Sequence, residues 1–199
     1  SGSVGANGLT TDSPLLTLGE AAAVNGTQSE FAGQIGEPLV TSIPIRDDLI
    51  IFAAEGSFFY LRGNPRSGGR MNYIPGPKGV GLVGIGAWVY TPYGRLFAMT
   101  TDGLYEVTLE AVTPVSRDVI PRELLGLSSD RYEVELGYDI ERRGFLISCF
   151  SATLPYIAYF YDLRAEGFFP EDRDTDHVPS AMVAHRIGDS GLSTLLFGC

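Results

Sequence analysis

The chain has 199 residues, enough for one domain with a real core at 44% hydrophobic content, and it carries a formal net charge of -10. A surface of that sign repels phosphate backbones and anionic membranes, which argues against sequence-independent nucleic-acid binding. Twenty-five Gly, 12 Pro and 11% aromatic residues point to an all-β chain dense in turns.

Residues 1–38 are dominated by Gly, Ser, Ala, Thr and Asn, with Leu15, Leu16, Leu18 and Phe31 as scattered apolar anchors. They read as an extended arm or linker. No basic region or apolar core of a signal peptide stands at the start, and there is no initiator Met. The expectation is a processed chain or a piece of a longer one. No apolar run approaches the roughly 18 residues of a membrane-spanning helix.

From Leu39 the pattern changes. Leu39–Ile45, Leu49–Ala54, Ser57–Leu61 and Met71–Ile74 are four strand-like runs separated by turn residues, a first unit over residues 39–82. A second unit, 83–131, holds Ile85–Tyr90, Leu96–Met99 and Leu104–Val107, with Asp102-Gly103 as a strong hairpin signal. A third, 132–179, holds Tyr132–Tyr138, Phe145–Phe150, Tyr156–Tyr161 and Gly167–Phe169. The fourth, 180–199, has only Ser180–His185 and Thr194–Cys199, and is incomplete.

The turns before each second strand fall at Asp48, Gly94, Gly144 and Gly191, at intervals of 46, 50 and 47 residues. Four-stranded antiparallel meanders on a repeat of about 47 residues are the signature of β-propeller blades. A β-sandwich accounts for the strands but not for the interval. With two strands lacking from the last unit, either residues 1–38 supply them and close a four-bladed ring, or the chain is a partial propeller. The second is favoured, because residues 1–38 match outer strands poorly. Val112–Asp130 interrupts the period; Asp118 is placed to cap a helical turn over Pro121–Leu125 that Gly126 ends, either a contact surface for a partner subunit or a simple connector between blades.

Candidate chemistry is sparse. Asp172, Asp174 and Asp176 have the alternate spacing that wraps carboxylates around Ca²⁺, but His177 stands where an EF-hand loop needs Gly and Val183 where it needs Glu. A solvated acidic loop is the plainer reading, so no metal, cofactor or catalytic residue is assigned. His177 and His185 are the only histidines, and no Ser or Cys sits in a nucleophile-elbow context. Cys149 and Cys199 lie in apolar runs without metal-ligand spacing, as small hydrophobes rather than a disulfide. The glycines of Gly79–Gly86 precede no helix, so they serve close approach of the chain to a neighbouring blade rather than phosphate binding. Arg62, Arg66, Arg70, Arg142 and Arg143 read as solvated turn charges. Tyr90, Tyr93 and Tyr138 read as packing between blades, with a sugar platform as the alternative. The first strands of the units carry only Glu133, Glu135 and His185 as ionisable groups, against the converging carboxylates that an enzyme propeller needs.

The motif order TTDGLYEV, PVSRDVIPRELLGL, YEVELGYDIERRGFLISCF, YFYDLRAEGFFPE and LLFGC resembles β-propeller structural proteins of tailed bacteriophages, including tail, nozzle and connector components. The resemblance covers roughly residues 39–199 and lies in blade turns. It implies a non-catalytic structural subunit of the virion, in the tail or its attachment apparatus. Its partners would be other virion subunits in a symmetric homo- or hetero-oligomeric assembly. A carbohydrate- or receptor-binding propeller module is the alternative. In that family the chain continues past a Gly after the last strand, in keeping with a partial propeller.

Overall fold

Runs rich in Ile, Val, Phe and Tyr, cut by Gly, Asp and Pro, cannot continue as helix and instead pair with their sequence neighbours. In the computed structural model, which describes residues 35–64, 69–116, 119–172, 181–187 and 192–198, they form 14 strands and no α-helix among those residues. β1 (Leu39–Arg46), β2 (Leu49–Ala54), β3 (Phe58–Arg62) and β4 (Arg70–Tyr73) make the first antiparallel sheet, in chain order. β5 (Trp88–Tyr90), β6 (Leu96–Thr100), β7 (Gly103–Val107) and β8 (Val112–Pro114) make the second. β9 (Glu133–Asp139), β10 (Gly144–Phe150), β11 (Ile157–Asp162) and β12 (Gly167–Pro170) make the third. β13 (Ala181–Ile187) and β14 (Leu192–Gly198) form a two-stranded sheet among the described residues.

The sheets stack face on face in the order of the chain. One face of the first, carrying Ile43, Ile51, Phe58 and Tyr60, joins a continuous core with Leu96, Val107 and Val112 of the second. The opposite face of the second meets the third, where the Phe97 and Phe145 ring centroids lie 4.5 Å apart. The far face of the third receives the hairpin: Gly137 of β9 lies against Leu195 and Met182, so close that an added Cβ would sit 3.0 Å from the leucine. The first strands of the last three units are neighbours, β5 touching β9 and β9 touching β13.

Burial follows this stacking. β6 is buried along its whole length and β10 everywhere but Phe150, because both faces of each are covered. Their sequences, LFAMT and GFLISCF, accordingly show no polar alternation.

Three details differ from the sequence expectations. The first strand of the second sheet spans only Trp88–Tyr90 rather than starting at Ile85. The preceding glycines instead thread the chain between sheets: a Cβ on Gly81 would strike the Ala54 carbonyl, and the Gly86 carbonyl accepts from Leu136 N–H at 3.0 Å. The connector expected from Val112 begins as β8, a regular fourth strand, and its helical turn is a single 3-10 turn over Arg122–Leu124 preceded by Pro121. The tight turn expected at Asp102-Gly103 lies one residue earlier, since Thr100 pairs with Gly103 and leaves Thr101-Asp102 as the loop. Asp118, like residues 1–34, lies outside the described residues.

Candidate functional site

A concavity rich in polar groups is built by two successive repeats. Leu124, fully buried, anchors the 3-10 turn, and Gly126 N–H donates to the Thr101 carbonyl at 3.0 Å. That pins Glu123 over the start of β11. There, Tyr159 donates its hydroxyl to Glu123 Oε2 at 3.3 Å. Burial, then the Glu123 charge, push the Tyr159 phenol above its ordinary pKa. The floor comes from Pro155–Tyr159, and the other wall from Pro170, Glu171 and Asp172 at the end of β12. Together they enclose about 500 Å³.

The walls are fixed from behind. Glu171 N–H bonds the Ala158 carbonyl at 2.9 Å, continuing the β11–β12 ladder by one step. Its carboxylate pairs with the Arg142 guanidinium, which lies 3.6 Å from the centroid of the Phe160 ring. The Tyr156 hydroxyl is 3.2 Å from Ser148 Oγ. Three carboxylates beside two phenols and two prolines suit a hydroxyl-rich or cationic ligand group: carboxylates accept hydrogen bonds, and aromatic faces stack on C–H or cationic surfaces.

The chain matches no protein-family model and no curated protein.

Of the carboxylates with calcium-loop spacing in the acidic stretch, Asp172 lines this groove, while Asp174, Asp176 and His177 lie outside the described residues. Among the described residues, no three His, Cys, Asp or Glu converge closely enough to hold a metal ion. Arg142 is more than a solvated turn charge, since it bridges β12 and the Phe160 ring. Tyr138 is 4% exposed and packs between the second and third sheets, 5.4 Å from Phe145 and 6.3 Å edge-on to Tyr93. Tyr90 and Tyr93 stay exposed. Glu133 is exposed, whereas Glu135 is half-buried against Gly86, and burial followed by the Glu133 charge raises its pKa. Cys149 is a buried free thiol whose pKa burial pushes up to about 12, which makes it a packing residue and not a nucleophile.

A second cleft, about 260 Å³, opens between the first two sheets over Ile45, Leu49, Ile51 and Leu96. Arg95 closes its rim with a two-pronged bond to Glu106, 2.7 Å on each prong, holding the Glu106 carboxyl below its usual range. Sequence reading missed Glu123, Tyr156 and Tyr159. They share no motif: Glu123 and Tyr159 are 36 residues apart and meet only because one sheet stacks on the next.

Proposed function

We propose that the three meanders and the β13–β14 hairpin are blades of a β-propeller, and that the chain is a structural subunit of a tailed-bacteriophage virion. Its place is the tail or its attachment apparatus, with other virion subunits as partners in a symmetric assembly. The observation that carries this reading is the serial stacking of the sheets, with β5, β9 and β13, the first strands of the last three units, adjacent in turn, as in blades set around an axis. Strand side chains are spent on packing, which suits a scaffold without catalysis. The virion assignment is further supported by the resemblance of the blade-turn motifs to phage tail, nozzle and connector propellers. A net charge of -10 is compatible with a wall that passing DNA does not stick to.

Two experiments test the reading. Cryo-electron microscopy of the assembled particle should show radial blades around a channel; a flat two-layer sandwich refutes the propeller. Antibody raised against the chain should decorate the tails of phage particles; particles that carry no label refute the virion role.

The groove over Tyr156 and Tyr159 favours a second reading, a carbohydrate- or receptor-binding module. Stacking aromatics beside carboxylates are the usual means of holding a sugar ring. Glycan-array binding that Tyr159→Ala abolishes would support it; a blank array would leave the scaffold reading alone.

A further inference from the structure

The sequence of β2, LIIFAA, is a continuous apolar run of the kind found in β6, LFAMT, and in β10, GFLISCF. Such runs are written for strands covered on both faces. β6 and β10 are covered on both. β2 is not: Leu49, Ile51 and Ala53 are buried, while Ile50 and Phe52 alternate with them and remain partly exposed. The strand register extends this partly exposed apolar face across β2, β3 and β4, while β1 places Ser42 and Pro44 on it. Phe52 stands opposite Phe59 and Phe59 opposite Tyr73; Ile50 stands opposite Leu61 and Leu61 opposite Met71. None of the six belongs to the hydrophobic core or packs against it. Phe59 and Tyr73 instead contact each other, 5.6 Å apart and edge to face.

Among the described residues, the other end of the stack is uncovered too. Met182 and Leu195 of the β13–β14 hairpin meet the third sheet through Gly137. Val183 and Leu196, directly opposite each other in the register, point away on the other face, 61% and 45% exposed. The stacking has a direction: each sheet offers one face to its predecessor and the other to its successor. The free face of the first sheet is the one that would meet a predecessor, and the free face of the hairpin is the one that would meet a successor. The two are opposite halves of one kind of joint, the kind the chain already makes three times between its own sheets.

We propose that neighbouring copies of this chain complete that joint, head to tail. The Phe52, Phe59 and Tyr73 face of one copy docks on the Val183 and Leu196 face of the next. The contact is heterologous, so its repetition closes a ring of copies or extends a filament. It supplies the interface for the assembly proposed above and rests on that reading only in taking the sheets as serially stacked units.

Sedimentation equilibrium of the purified chain over a concentration series tests it. The expected result is mass rising from the 21.4 kDa of one chain to multiples of it. Tyr73→Lys alone and Leu196→Glu alone should each give monomers, with circular dichroism unchanged because both side chains are about half exposed. Mixed in equal amounts, the two variants should form a two-chain species and nothing larger, because each retains the half that the other lacks. A wild-type chain monomeric at every concentration overturns the proposal; that is the outcome if the ring closes within one chain or if residues 1–34 cover the first face. Leu196→Glu that still dimerises also overturns it, in favour of like faces pairing. A monomeric chain found on labelled tails refutes the joint and leaves the virion reading standing, whereas assembling copies with unlabelled particles do the reverse.

Discussion

Glu135 sits half-buried on β9 beside Glu133, and both burial and the neighbouring charge favour its neutral form. Its native pKa is raised above the unfolded value, so the protonated carboxyl favours the folded state. That contribution is fully present below the ordinary carboxylate range and is lost as pH rises through the raised native value. Glu135→Gln should therefore increase neutral-pH stability by up to about 1 kcal/mol, allowing for solvent screening at this partly open site. It should also flatten the stability profile over that window, as followed by urea denaturation at acidic and neutral pH. Glycines provide a second residue-scale contrast. A Cβ on Gly81 meets the backbone of Ala54–Gly56, whereas one on Gly86 meets only the movable end of Glu135. Gly81→Ala should cost roughly 2–4 kcal/mol and Gly86→Ala less than about 1 kcal/mol in thermal or chemical denaturation. The sequence showed that these glycines serve close approach. Which of them faces backbone is a matter of neighbours distant in the sequence, Ala54–Gly56 for Gly81 and Glu135 for Gly86.

At the scale of elements, strands were legible because a pleated run needs only local chemistry: β-branched and aromatic residues bounded by turn formers. Turn register was less so. Asp102-Gly103 suggests a turn with both central residues at positive φ, yet Gly103 (φ 122°) already opens β7 and the loop is Thr101-Asp102. The turn is held by Thr100 Oγ1 donating to the Gly103 carbonyl at 2.9 Å and by Tyr105 donating to Asp102 at 2.5 Å. Gly103→Ala places an L side chain at that φ and against Ile120, and should destabilise by about 1–3 kcal/mol. Calorimetry checks this. Tyr105→Phe removes the hydrogen bond to Asp102 and should cost about 1 kcal/mol. Between sheets, Phe145 stands fully buried between Phe97 and Tyr138, so Phe145→Ala should cost about 3–5 kcal/mol through the cavity it leaves.

For the whole molecule, Cys149 is a built-in reporter. Its fully buried thiol should resist alkylation in the folded protein and react only on global opening. In a Cys199→Ser background, a labelling rate equal to that of an exposed thiol without denaturant would contradict the stacked core. Charge adds a second expectation: copies bearing -10 each repel, so salt should strengthen head-to-tail association, and association weakened by salt would point to ion pairing instead. By itself the sequence determined an all-β chain of four-stranded meanders on a repeat near 47 residues, because strand periodicity and turn chemistry are local. Only the tertiary structure decided which apolar faces are covered. β2, β6 and β10 read alike, yet a strand's second face is buried only where another sheet lies against it. The same holds for the groove, whose Glu123 and Tyr159 come from different repeats and become neighbours through stacking alone.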